Sequence, residues 1–205
     1  YFNFNSSGSM KVVPANTSFS TSMTIGSNFV LSSSASLFEV GTPSNSGNVI
    51  VTGATQIAGD VVLRGSGITV SGAITTTGAG KKISIITDTL TVSANISATN
   101  SSRLEIAQRT AGRGIVLGDA SASALAIPAA GNTFLRATTL QFGNSASGNV
   151  IVSVTSFPSV VARVDGEETQ LATIKGVDAG EHRTKPVDNA LGKSVEGMTV
   201  KPAPQ

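Results

Sequence analysis

The chain of 205 residues has no cysteine and no tryptophan, a single tyrosine and a single histidine. Without cysteine there are no disulfides, no thiolate metal sites and no cysteine nucleophiles. One histidine, His182, rules out a metal centre built from histidines of one chain, and no Ser-His-Asp set is evident around it. Charged residues make up only 13% of the chain, against roughly a quarter in an average soluble domain. Ser, Thr, Asn, Gly and Ala take the vacated places, so hydroxyls and amides rather than ions must meet water. The net charge is +2, and the basic residues are scattered without interleaved aromatics, which removes the electrostatic footprint of a nucleic-acid binder. No apolar run approaches the roughly 18 to 20 residues of a membrane span. Gly/Asp nonapeptides of the calcium-binding kind are missing, and "GAGKK" at Gly78–Lys82 lacks the spacing of a phosphate-binding loop.

What is present is a train of short apolar bursts, rich in β-branched residues, separated by Gly, Ser, Asn and Thr. They begin at Met23, Phe29, Val49, Val61, Ile68, Ile83, Leu90, Leu104, Ile115, Leu125, Leu140 and Val150. Alternation with period two and polar punctuation predict strands and turns, and no long window carries a helical period. Hydrophobic residues at 40% supply a continuous core. The fold class is therefore all-β. The strands are short and two-residue hairpin signals are scarce, which favours a single-stranded parallel β-helix, a β-solenoid, with a β-sandwich as the alternative. In a solenoid the Val, Ile and Leu residues stack in columns, while Ser, Thr and Asn at the corners bond to equivalent positions one strand away.

The stretch "GNVIV" occurs twice, as Gly47, Asn48, Val49, Ile50, Val51 and as Gly148, Asn149, Val150, Ile151, Val152. Both copies follow an apolar strand, a glycine and a small polar loop, in "FEVGTPSNSGNVIV" and "LQFGNSASGNVIV". Such self-similarity marks position in a repeat rather than a ligand signature. A second discontinuity is electrical. Residues 1–162 hold eight basic and five acidic residues, and residues 163–205 hold six and seven. The chain therefore divides into an N-terminal strand or extension at 1–12, a solenoid body at 13–162, and a polar C-terminal extension at 163–205 that must lean on another surface to be ordered.

With the strands placed, "RGIVLGDASASALAIPAAGNTFLRATTLQFGNSASGNVIVSV" from Arg113 to Val154 resembles the repeats of filamentous-haemagglutinin-type adhesins and related bacterial β-strand-repeat exoproteins. The resemblance rests on Ile115, Leu117, Gly118, Leu140, Phe142, Gly143, Gly148, Asn149, Val150 and Val152. It implies a right-handed parallel β-helix working outside the cell, in adhesion, biofilm or surface structure. Members of that family are far longer and carry an N-terminal secretion domain, which this sequence does not show. The start at Tyr1, without an initiator Met, reads as an exported chain whose N-terminal signal has been removed.

Chemistry finds little to use. The body offers Glu39, Asp60, Asp88, Glu105 and Asp119 as acids, and Glu105 with Arg103, near Arg109 and Arg113, is the best constellation for sugar chemistry. A solvated ion-pair face is the simpler reading, so no enzyme activity, catalytic residue, metal or cofactor is expected. Asn-x-Ser/Thr at Asn5, Asn16, Asn95 and Asn100 is what a Ser/Thr-rich chain produces by chance. The open ends of a solenoid are then the functional question. The expected function is a self-assembling structural subunit of a bacterial surface filament or matrix fibre, polymerising head to tail with copies of itself. Tyr1, Phe2, Phe4, Met198 and Val200 are the expected inter-subunit contacts. A monomeric adhesin that binds cell-surface glycans is the alternative, and a polysaccharide-degrading β-helix enzyme a third.

Overall fold

The computed structural model describes residues 2–152, 160–164 and 167–171. Three short strands recur in fixed order. The first round is β1 (Phe2–Phe4), β2 (Ser9–Val12) and β3 (Met23–Ile25), and the second is β4 (Phe29–Leu31), β5 (Leu37–Val40) and β6 (Val49–Val51). The third is β7 (Thr55–Ile57), β8 (Asp60–Arg64) and β9 (Gly67–Val70), and the fourth β10 (Ile74–Thr76), β11 (Lys82–Ile86) and β12 (Thr89–Val92). β13 (Ile96–Ala107) then supplies two positions in one strand, because its pairing register shifts between Ala98 and Arg103. β14 (Ile115–Gly118) completes that round. An inserted segment follows, with β15 (Leu125–Pro128) and the one-turn helix α1 (Ala129–Asn132). β16 (Leu135–Phe142) and β17 (Val150–Val152) make the next round, and β18 (Val160–Val164) and β19 (Glu167–Leu171) come last. No helix among the described residues is long and apolar enough to cross a membrane.

Apart from β14–β15 and β18–β19, each strand pairs not with its chain neighbour but with the strand one round away, and in parallel. The second position of every round forms the order β2-β5-β8-β11-β13-β16-β18, closed by β19, which alone pairs antiparallel. The third position forms β3-β6-β9-β12, and β15-β14-β17 continues as a separate sheet. The first position pairs β1 with β4, and β7 with β10, which in turn pairs with β13. Hairpin-linked antiparallel pairing, which a β-sandwich requires, occurs among the described residues only at β18–β19. The architecture is all-β with parallel strands. The charge boundary at residue 163 falls inside β18, and β2, within the N-terminal strand or extension at 1–12, pairs with β5.

Register explains the apolar alternation. Phe38 lies beside Val61, Val61 beside Ile83, Ile83 beside Leu104 and Leu104 beside Leu140, one inward column through five rounds. Val40, Leu63, Ile85, Ile106 and Phe142 form the next. All ten are at most 2% exposed. A Val, Ile or Leu removed from water this completely contributes about 1.5–3 kcal/mol, and parallel in-register pairing sets an apolar residue of the next strand beside each of them.

Hydroxyls and amides stitch the corner between the second and third positions. Ser18 Oγ meets Ser46 Oγ at 2.8 Å, Ser66 Oγ donates to the Ser46 carbonyl at 2.6 Å, and Thr87 Oγ1 donates to the Ser66 carbonyl at 3.1 Å. Asn45, 0% exposed, joins three rounds. Its Oδ1 accepts the Phe19 and Gly47 amides, and its Nδ2 donates to the carbonyls of Arg64 and Gly47. Four hydrogen bonds offset the cost of burying this amide, which is how a chain poor in charge can still close its corners.

Both copies of the repeated stretch fall at this corner. Val49 and Val51 are in β6, Val150 and Val152 in β17, the third position of their rounds. The Asn48 carbonyl accepts the Met23 amide, and the Asn149 carbonyl accepts the Ile115 amide, each at 2.9 Å. A Cβ on Gly47 would stand 2.7 Å from the Phe19 carbonyl oxygen, and one on Gly148 would run into the Gly112 carbonyl. The pentapeptide thus records one recurring demand, a backbone that must touch the round before it.

Candidate functional site

Three places could carry function: the charged face, a crevice beside the inserted segment, and the first-round end. On the second-position strands the outward side chains hold most of the body's charge. Lys11 Nζ lies 2.8 Å from Glu39 Oε2, and Arg64 Nη1 bonds Glu39 Oε1. Lys82 Nζ is 3.3 Å from Glu105 Oε2, which also accepts from Ser84 Oγ at 3.0 Å. Arg103 donates instead to Gln141 Oε1 at 3.0 Å. Asp60 Oδ1 accepts the Lys82 amide at 2.8 Å, and Asp119 Oδ1 accepts the Ala120 amide at 2.8 Å. Every acid singled out in the sequence is held by a donor or cation.

The crevice opens where the third-position ladder breaks between β12 and β15. It measures about 470 Å³ and is lined by Asp88, Thr89, Leu90, Arg113, Ser121 and Pro128, among others. Arg113 Nη2 donates to the carbonyls of Ala122 and Ala124, both at 3.1 Å, and so anchors the inserted loop. Asp88 receives the Arg109 and Thr110 amides on Oδ1 and the Thr110 hydroxyl on Oδ2 at 2.6 Å. Arg109 and Arg113 thus gather around Asp88, not around Glu105 as their spacing in sequence suggested. Both oxygens of Asp88 are thus engaged by donors, and the crevice reads as the clamp of the insertion.

Burial acts to raise the carboxyl pKa of Glu39, but the hydrogen bonds and charges of Lys11 and Arg64 outweigh it and hold Glu39 below the ordinary carboxylate value. Asp88 is lowered likewise: burial pushes up, and the Thr110 hydroxyl and amide, the Arg109 amide and the Arg113 charge prevail. A group that binds its proton less tightly when folded stabilises the fold above its unfolded pKa, and that contribution is lost as pH falls through the folded one. Stability should therefore decline on acidification through and below the usual carboxylate range. Thermal melts of Glu39→Gln and Asp88→Asn should each show a shallower acid decline than the unaltered chain, and identical slopes would refute both assignments.

The first-round end differs in kind. β1, β2 and β3 each stand last in their sheets, with a strand partner on one side only among the described residues. Phe4, Met10, Val12 and Met23 pack against the core but are only half-buried, whereas Phe38, Val40 and Val49, one round further in, are at most 1% exposed. Phe2, 44% exposed, and Val13, 53% exposed, are the only exposed large hydrophobic residues among those described, and both belong to this end. The Phe2 ring stacks on Phe29 with centroids 4.9 Å apart and planes 17° from parallel. A cleft of about 390 Å³ beside it is lined by Phe2, Thr24, Gly26, Asn28 and Phe29. Lys11 is the only charged residue among the first 38.

Of the contacts expected from sequence, Phe2 and Phe4 lie in β1, while Tyr1, Met198, Val200 and also His182 fall outside the described residues. Sequence reasoning did not name Met10, Val13 or Met23 as contacts. For Val13 and Met23 the available signal is the long charge-free stretch after Lys11, which leaves apolar residues near an edge without the charges that normally guard one. Searched against protein-family models, curated proteins and solved structures, the chain has no match.

Proposed function

We propose that the chain is a non-enzymatic structural module of the bacterial cell exterior, a parallel β-solenoid that joins a neighbour by strand addition at its first-round end. The observation that carries this reading is that end itself: among the described residues β1, β2 and β3 have a strand partner on one side only, over half-buried Phe4, Met10, Val12 and Met23, flanked by exposed Phe2 and Val13. Open edges with apolar side chains and almost no charge are the surfaces on which strands add. The recurrence of three strands per round and the in-register parallel ladders support the solenoid. The resemblance of Arg113–Val154 to haemagglutinin-type repeats supports an extracellular setting and a role as subunit of a surface filament or matrix fibre.

Mass should rise with concentration in light scattering. The double substitution Phe2→Lys with Val13→Lys should hold the chain at monomer mass without changing its far-UV circular dichroism. A monomer at every concentration would overturn the reading. One observation favours a second reading, a monomeric glycan-binding adhesin: the cleft is lined by the exposed Phe2 together with polar Thr24 and Asn28. That reading predicts glycan binding that Phe2→Ala abolishes in a chain that stays monomeric.

A further inference from the structure

We infer that the crevice beside the inserted segment is a binding site for a hydroxylated monocarboxylate of a single sugar's size, the chemistry of a hexuronic acid, with Arg113 as its anchor. Nothing in this depends on the first-round end. The crevice exists because the third-position ladder is interrupted. β12 pairs with β9 and β15 with β14, and among the described residues neither has a strand on its other side. The amides of Thr89 and Ser93 are bonded to the carbonyls of Ser66 and Val70, so the backbone groups of Leu90 and Val92 point the other way, toward β15. Leu125 gives its amide to the Gly114 carbonyl, which turns the backbone of Ala126 toward the crevice from the opposite wall. A further strand fits poorly here, because Pro128 has no N–H to offer it. Hydroxyls, which both donate and accept, suit such walls, and Thr89 and Ser121 add hydroxyls of their own. A volume of about 470 Å³ is within the usual size of a small-molecule site.

Charge selects the anion. Arg109 Nη1 has Asp88 Oδ2 at 4.0 Å, whereas Arg113 has no carboxylate within ion-pair distance among the described residues. Its Nη2 is spent on two neutral carbonyls, those of Ala122 and Ala124. Its Nη1 has no bonded acceptor, and its Nε is buried without a partner. A planar guanidinium with donors unmet is a receptor for a planar carboxylate. Two arginines around one aspartate leave a surplus of one positive charge, which a monoanion cancels. A phosphate dianion would exceed it and would stand in the same crevice as the carboxylate of Asp88. Asp119, exposed and bonded to the Ala120 amide, is not among the lining residues. Leu90, Ala126 and Pro128 supply the apolar patch on which the C–H face of a sugar ring can lie.

The test is titration of the full chain with sodium glucuronate, glucose and sodium acetate, read by ligand-observed NMR. Glucuronate should bind about tenfold or more tighter than either of the others. Arg113→Lys keeps the charge but loses the planar fork, and should weaken glucuronate about tenfold. Because Arg113 also holds the inserted loop, Thr89→Val serves as a second variant. Its side chain is exposed on β12, so the thermal melt should stay unchanged while glucuronate affinity falls about threefold or more. Lys11→Gln, on the charged face, should leave binding as it was. Glucose bound as tightly as glucuronate would overturn the role of the carboxylate, and acetate bound as tightly would leave an adventitious ion only. Affinity untouched by both crevice variants would overturn the placement of the site, and no saturable binding of glucuronate would overturn the site itself.

Discussion

Replacing Gly59 by alanine should cost about 3 kcal/mol or more, at or beyond the top of the range for overpacking a closed site. Gly59 sits between β7 and β8, its amide donating to the Ala35 carbonyl at 2.8 Å and its carbonyl accepting Thr76 Oγ1 at 2.6 Å. A Cβ there would stand 2.5 Å from Ser36 Cα and closer still to the Ser36 carbonyl. The obstacle is backbone, which cannot swing aside as a side chain can, so two rounds would have to separate. Against a total of roughly 5–15 kcal/mol for a typical domain, that is a large share. Gly80→Ala is the control. Gly80 has φ +67° and nothing within 4 Å of a built Cβ, so only the left-handed backbone is penalised, at about 1–2 kcal/mol. Urea midpoints for the pair should differ clearly, and a Gly59→Ala midpoint equal to that of Gly80→Ala would contradict the close approach.

Phe38→Ala should cost about 3–5 kcal/mol, the usual loss for deleting a buried ring. Phe38 is 1% exposed, stands in the column with Val61 and Ile83, and meets Phe29 with ring centroids 5.7 Å apart. In a stack the vacated space has a round on each side that cannot collapse without losing its own strand register, so the cavity persists. Phe2→Ala removes a ring of the same size from the exposed edge and should barely move the urea midpoint. Equal effects at Phe2 and Phe38 would place the core somewhere other than the inward columns.

Much of this was legible in residues alone. All twelve apolar bursts, from Met23 to Val150, fall in strands, because β-branched alternation is decided locally. β7 and β10 were not legible: "TQI" and "ITT" are too polar to signal burial, yet Thr55 and Thr76 point inward at the first position, where Thr76 Oγ1 finds the Gly59 carbonyl. The insertion was hidden for another reason. "LAI" at Leu125 looks like any third-position strand, and nothing local says that β15 lies between β12 and β14. The regrouping of Arg109 and Arg113 around Asp88 was equally non-local, since Asp88 lies 21 and 25 residues before them in sequence. At the first-round end the sequence announced the aromatic start but not its partners. Val13 and Met23 matter through where the round places them, not through any pattern of their own.

Hydrogen exchange of the β1, β2 and β3 amides at low and high protein concentration tests the central claim most directly. If the first-round edges take strands from a neighbour, amides of Phe2–Phe4, Ser9–Val12 and Met23–Ile25 should gain protection as concentration rises, while β8 and β11, already paired on both sides, stay unchanged. Exchange at those three strands that is the same at both concentrations would contradict the account.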